Sequence, residues 1–225
     1  MNVLSVLQAQ STRIVRILGD LGYLPNLVME IGKRYQFIGL PRPEQLLPSQ
    51  TNTPMTFEMG KVQLKDREIA VNALQIYPAG LAVITRTNTS DCDLVLDEVM
   101  EWATDTLKLT FEPIRPGNAH NSQLELRFNQ PLATMLSAFN EIGAAITEGI
   151  DADFWRFKPA YELTTLTFFF DKTKAPSIAP TTFRLDRRDG STFEDNLFWS
   201  EAPLSTDKHI AILGALERIC ERSAR

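Results

Sequence analysis

Residues 68–108, EIAVNALQIYPAGLAVITRTNTSDCDLVLDEVMEWATDTLK, leave the chain few folds to choose from, because they encode strand, tight turn, strand, cap and helix in direct succession. Ile69, Val71 and Ala73 alternate with Ala70, Asn72 and Leu74 in a mostly apolar, partly β-branched run. Such a run predicts a strand buried on both faces. Pro78 presets φ for a turn and Gly80 supplies the freedom to take φ > 0, so Pro78-Ala79-Gly80 predicts a hairpin. Leu81, Val83 and Thr85 continue as the return strand. Thr89, Ser90 and Asp91 offer capping oxygens. Val95, Leu96, Val99, Ala103 and Leu107 then recur at helical spacing and define the buried face of a helix.

The other face of that helix is acidic. Asp93, Asp97, Glu101 and Asp105 recur every fourth residue with Glu98 beside them, and no Lys or Arg follows before Lys108. Like charges at this spacing cost roughly 0.2–0.5 kcal/mol per pair. The helix dipole offsets that only near the N-terminus, at Asp91 and Asp93. Such a ridge is either a solvated face or a docking face for a basic surface. A metal site is disfavoured, because four carboxylates spread along about 18 Å of helix do not converge on one ion.

With 225 residues, 44% of them hydrophobic, the chain is long enough for one largish core or two packed ones. A net charge of −5 argues against non-specific binding to nucleic acid or anionic membranes. Cys92 and Cys220 have no zinc-site spacing and are too few for a disulfide framework. The N-terminal MNVLSVLQAQ lacks the basic region of a secretory signal, and no apolar run reaches membrane-spanning length. A cytoplasmic protein with reduced thiols is the expectation.

In chain order, Val3, Val6, Leu7, Ile14, Ile17 and Leu18 predict a helix over residues 3–19, stopped by Gly19 and Gly22. Pro25 and Asn26 open a second helix over Leu27, Val28 and Ile31. Residues 35–40 predict a strand. Pro41, Pro43, Pro48 and Pro54 mark a linker. The expected organisation is thus a helical N-terminal arm with a Pro-rich linker over 1–54, followed by an α+β body over 55–225. Residues 57–64 predict a strand, 111–122 a loop and 123–128 a short strand. Pro131 opens a helix with Leu132, Met135, Leu136, Phe139, Ile142, Gly143 and Ile146 inward. LTTLTFFF, residues 163–170, predicts a central strand covered on both faces. Residues 181–188 and 192–200 flank Asp189-Gly190, a type I′ hairpin signal. Ser205 and Thr206 cap a last helix with Ile210, Leu213, Leu216 and Cys220 inward. Residues 57–107 and 161–222 share the layout strand, strand, strand, helix, which admits an internal duplication.

Signatures of nucleotide, zinc-protease and hydrolase chemistry are absent. His120, in a loop of small polar residues, is the candidate general base. His209 lies close to Asp207 and Ser205, too close in sequence for a triad assembled from separate loops. Cys92 is flanked by Asp91 and Asp93, which oppose the thiolate, so an inert thiol is expected. Arg184, Arg187 and Arg188 form the densest basic group, suited either to phosphate or to blunting an edge hairpin. Trp102, Trp155 and Trp199 read as core or interface anchors.

The expectation from sequence is an α+β fold with an antiparallel sheet packed by amphipathic helices. The expected function is a non-catalytic protein-interaction or assembly subunit, self-associating and without cofactor or metal. Its candidate interaction residues are Asp93, Asp97, Glu101, Asp105, Arg184, Arg187 and Arg188. The alternatives are a hydrolase using carboxylates and His120, and a small-ligand binding domain.

Overall fold

A computed structural model describes residues 1–20, 24–46, 53–129, 137–149, 161–171, 173 and 180–223. The chain is α+β, with an antiparallel sheet and four α-helices among the described residues. The strands are β1 (Asn2–Leu18), β2 (Met55–Gln63), β3 (Glu68–Tyr77), β4 (Gly80–Thr85), β5 (Thr110–Arg127), β6 (Thr165–Phe168), β7 (Phe183–Arg187) and β8 (Leu197–Ala202). The helices are α1 (Leu24–Arg34), α2 (Thr89–Leu107), α3 (Ser137–Gly149) and α4 (Thr206–Ser223). A 3-10 turn covers Pro43–Leu46.

The chain forms two compact units. The larger holds Val6–Ser122 and Pro203–Thr206; the smaller holds Met1–Ser5, Gln123–Ala202 and Asp207–Arg225. In the larger unit the strand order is β2-β3-β4-β1-β5, and in the smaller it is β5-β8-β7-β6.

The larger unit is built on the hairpin that the sequence predicts. Tyr77 pairs with Gly80 across Pro78-Ala79, and the register runs through Leu74↔Val83 to Ala73↔Ile84. Gly80 has φ +149°, and a Cβ there would stand 2.1 Å from the Arg13 carbonyl oxygen. Glycine is therefore required both by the backbone and by the close approach of β1. β4 then pairs with β1 from Ala9↔Thr85 to Ile14↔Gly80. On α2, Val95, Leu96, Val99 and Ala103 are buried as their spacing predicts. Of these, Val95, Leu96 and Val99 join Leu27, Val28 and Ile31 of α1 and Phe57, Val71, Leu74 and Val83 of the sheet in one apolar core. The first half of β3 alternates, with Ile69 and Val71 buried and Ala70 exposed, while Leu74, of the opposite parity, is buried as well.

Other expectations are corrected. The predicted N-terminal helix over residues 3–19 is the strand β1, so the N-terminal segment is not a helical arm. Its spacing of Val3, Val6, Leu7 and Ile14 serves a strand because β1 pairs with β4, and tertiary pairing overrides a loose helical stripe. The predicted loop over 111–122 is part of β5. Residues 35–40 form a single bridge, Gly39↔Glu58, instead of a strand. The α2 cap is Asn88, whose side chain accepts from the Asp91 amide, in place of Thr89, Ser90 or Asp91. Asp189-Gly190 does not close a two-residue hairpin: β8 begins only at Leu197, after a second turn in which Thr192 binds Asp195.

In the smaller unit, β7 pairs with β6 (Thr165↔Asp186) and with β8 (Asp186↔Trp199). The predicted central strand at 163–170 is short and pairs with β7 alone among the described residues, leaving Phe168 59% and Phe169 72% exposed. Ile142 and Ile146 of α3, expected inside, are also exposed; residues 131–136 of that predicted helix lie outside the described ones. On α4 the buried stripe is Thr206, His209, Leu213 and Glu217, so the histidine replaces Ile210 as a core residue.

Candidate functional site

Among the described residues, three places in the fold gather side chains with chemical potential. The first is the acidic face of α2. Arg13 projects from β1 onto it: Nη1 lies 2.6 Å from Asp93 Oδ1 and Nη2 lies 3.1 Å from Asp97 Oδ1. Ser11 Oγ donates to Asp93 Oδ1 at 2.5 Å. His120, on β5, places Nε2 3.0 Å from Asp93 Oδ2. Burial opposes ionisation of Asp93, but the hydrogen bonds from Ser11, His120 and Arg13 and the charge of Arg13 outweigh it and hold the carboxyl below its ordinary value. An ionised Asp93 only accepts, so the imidazole Nε2–H is the donor. Glu98 is likewise matched, by Arg34 at 2.7 Å.

Sequence spacing along one helix could not show this, because the neutralising cations come from β1 and α1. Asp93 and Asp97 are thus brought together with Arg13. Glu101 and Asp105 remain exposed on the same helix and make no ion pair among the described residues. His120 is oriented by a carboxylate, as a general base would be. Ser11, however, binds Asp93 and not the imidazole, so the three do not have the relay geometry of a nucleophilic triad.

Cys92 sits beneath this cluster, fully buried, with Sγ 3.3 Å from the Ala9 carbonyl and 3.3 Å from Thr85 Oγ1. Burial pushes its thiol up to about 11, which makes it a structural residue. His209 is also a packing residue. It stacks edge-on to Phe183 and meets Ser200 Oγ at 2.8 Å, and burial depresses it to about 4. Ser200 in turn donates to the Arg184 carbonyl at 2.9 Å.

The second place is the β7 arginine group. Arg184, Arg187 and Arg188 are brought together along a polar cleft of about 770 Å³. Each already holds a carboxylate: Arg184 binds Asp186 at 2.6 Å, Arg187 binds Glu162 at 3.5 Å and Arg188 binds Glu125 at 3.4 Å. Arg187 is almost buried, its guanidinium lying over the rings of Phe193 and Phe198.

The third place, unseen in the sequence, is a half-open apolar cavity of about 460 Å³ in the larger unit. Leu27 and Ile31 of α1, Val99, Trp102 and Ala103 of α2, and Ile76, Leu81 and Leu109 line it. The few polar residues at its wall are already engaged. Gln45 binds the Arg42 amide and the Pro54 carbonyl, and Tyr77 donates to Gln75. Thr53 has a partner too. No periodicity announces such a cavity, because its lining residues look like any other core. His120 and Asp93 line neither the cavity nor the cleft.

No group of His, Cys, Asp or Glu suited to a metal ion occurs among the described residues, and no helix among them is long and apolar enough to cross a membrane. No protein-family model matches the sequence, and no curated protein resembles it closely enough to count as a relative.

Proposed function

We propose that this chain is a non-catalytic binding protein whose larger unit takes up a small apolar molecule. The observation that carries the proposal is the cavity of about 460 Å³ between α1, α2 and the sheet. Its size falls within the range of small-molecule sites, roughly 300–1,000 Å³, and its walls are apolar as such sites mostly are. Because Gln45 and Tyr77 are satisfied by protein partners, the lining asks for hydrocarbon and not for a polar head group. The test is a thermal-shift screen of neutral aliphatic and aromatic compounds. A ligand present at about 100 times its Kd stabilises by roughly 2.7 kcal/mol, so a true occupant raises Tm by several degrees. A screen in which no apolar compound moves Tm would speak against the proposal.

A second reading, self-association, is favoured by β6, which pairs with β7 alone among the described residues. Phe168 and Phe169 are exposed there, and a strand edge with uncovered aromatic side chains is a template for pairing with another copy. In this reading the contact is aromatic and lies on β6. The α2 carboxylates and β7 arginines are weaker candidates, since Asp93, Asp97 and all three arginines have partners within their own chain. Sedimentation of wild type and Phe168→Lys tests it: a dimer converted to monomer supports pairing through β6, and an unchanged sedimentation coefficient opposes it.

A further inference from the structure

We propose that the polar cleft on β7 of the smaller unit binds a phosphate monoester of a hydroxyl-bearing molecule such as a sugar. Three arginines, Arg184, Arg187 and Arg188, and two carboxylates, Asp186 and Asp189, line the cleft with Thr164, Thr165 and Trp199, so its charged side chains carry a net positive charge. The sheet register explains why these residues meet. Thr165, Asp186 and Trp199 form one cross-strand row, and Thr167, Arg184 and Glu201 form the next. Arg184 and Asp186 therefore share a face, and Arg188 follows two residues on.

The way the arginines are paired leaves their binding ends uncommitted. Arg184 and Arg188 contact Asp186 and Glu125 through Nε. Among the described residues their Nη1 and Nη2 atoms make no hydrogen bond, and both side chains are about half exposed, 53% and 50%. A guanidinium held at Nε is oriented by that contact while its terminal nitrogens stay available, and two N–H groups in a fixed fork suit a phosphate. The carboxylates thus position the arginines as well as offsetting their charge. Arg187 adds a third positive charge from below. It is 6% exposed, and its Nε has no hydrogen-bond partner among the described residues.

The remaining lining selects what the phosphate is attached to. At about 770 Å³ the cleft is far larger than a bare oxyanion needs. Thr164 and Thr165 present exposed side chains at one wall, with hydroxyls that both donate and accept. Asp186 Oδ1 is buried without a hydrogen-bond partner among the described residues, so the threonine hydroxyls are the acceptors open to a ligand. The Trp199 ring, with Arg184 5.9 Å from its centroid, supplies a flat apolar surface. Cations for the phosphate, acceptors for hydroxyls and a ring face for a carbon skeleton describe a phosphorylated polyol.

The test is calorimetric titration of the full chain with ribose 5-phosphate, inorganic phosphate and ribose at low and high salt. Ribose 5-phosphate should bind at least tenfold more tightly than inorganic phosphate, ribose should give no heat, and affinity should fall as salt rises. The Arg184→Gln/Arg188→Gln variant should lose at least tenfold for ribose 5-phosphate with its circular dichroism unchanged. The Arg184→Lys/Arg188→Lys variant, which keeps the charge but not the fork, should lie between the two and guards against a folding defect in the first. Binding of ribose 5-phosphate no tighter than inorganic phosphate, or binding that survives the double glutamine variant, would overturn the proposal.

Discussion

Arg13 donates to Asp93 across 2.6 Å while reaching Asp97, one helical turn further along α2. One guanidinium from β1 thereby neutralises half of a ridge that looks uniformly acidic in the sequence. The pair sits close to the surface yet is partly shielded, the Arg13 side chain being only 14% exposed. Replacing Arg13 with Gln should destabilise the protein by about 1–3 kcal/mol, because Asp93 loses its charge-assisted donor. Asp97→Asn, at a carboxylate 65% exposed, should change stability by less than about 1 kcal/mol. Urea denaturation of both variants measures the difference.

Gly80 should tolerate no side chain. Its positive φ and the 2.1 Å that would separate a Cβ from the Arg13 carbonyl oxygen act together. Gly80→Ala should cost at least about 2 kcal/mol, seen as a lower urea midpoint with little change in slope.

His209 should make the protein acid-sensitive. Its folded value near 4 lies below the ordinary 6.5, so the unfolded chain binds the proton more readily. Stability is therefore complete above pH 6.5 and is lost as pH falls from 6.5 towards 4, by on the order of 3 kcal/mol. His209→Leu should flatten this part of the stability–pH curve, as measured by denaturation at half-unit steps. An equally steep curve in the variant would assign the sensitivity to other groups.

Cys92 should resist thiol reagents. In a Cys220→Ser background, the native protein should react with a disulfide reagent at pH 8 much more slowly than the same protein in denaturant, since burial holds Cys92 as the thiol.

The hairpin, α1 and the buried stripe of α2 are legible in the sequence because each is set by local rules: turn residues and spacing. β1 is not, because Val6, Leu7 and Ile14 fit a helical stripe nearly as well as a strand, and only pairing with β4 decides. β6 fails for the opposite reason. Three phenylalanines in a row suggest burial, but sequence does not say whether a second strand lies alongside. The candidate site is legible only in part. The β7 arginines stand out as a group, and His120 stands out as a lone histidine. Its pairing with Asp93 joins β5 to α2, and the apolar cavity joins α1, α2 and the sheet; neither leaves a periodic trace.

The most direct measurement of the central claim is a fluorescence titration with N-phenyl-1-naphthylamine, a neutral apolar probe, against wild type, Ala103→Trp and Leu107→Trp. Both substituted residues line the cavity, Ala103 buried and Leu107 half-buried, so the second variant fills the space with less risk to folding. If the cavity is the binding site, the wild type binds the probe saturably with enhanced emission. Each folded variant then loses at least tenfold in affinity. A wild type that gives no saturable signal, or variants that bind as tightly as wild type, would contradict the account.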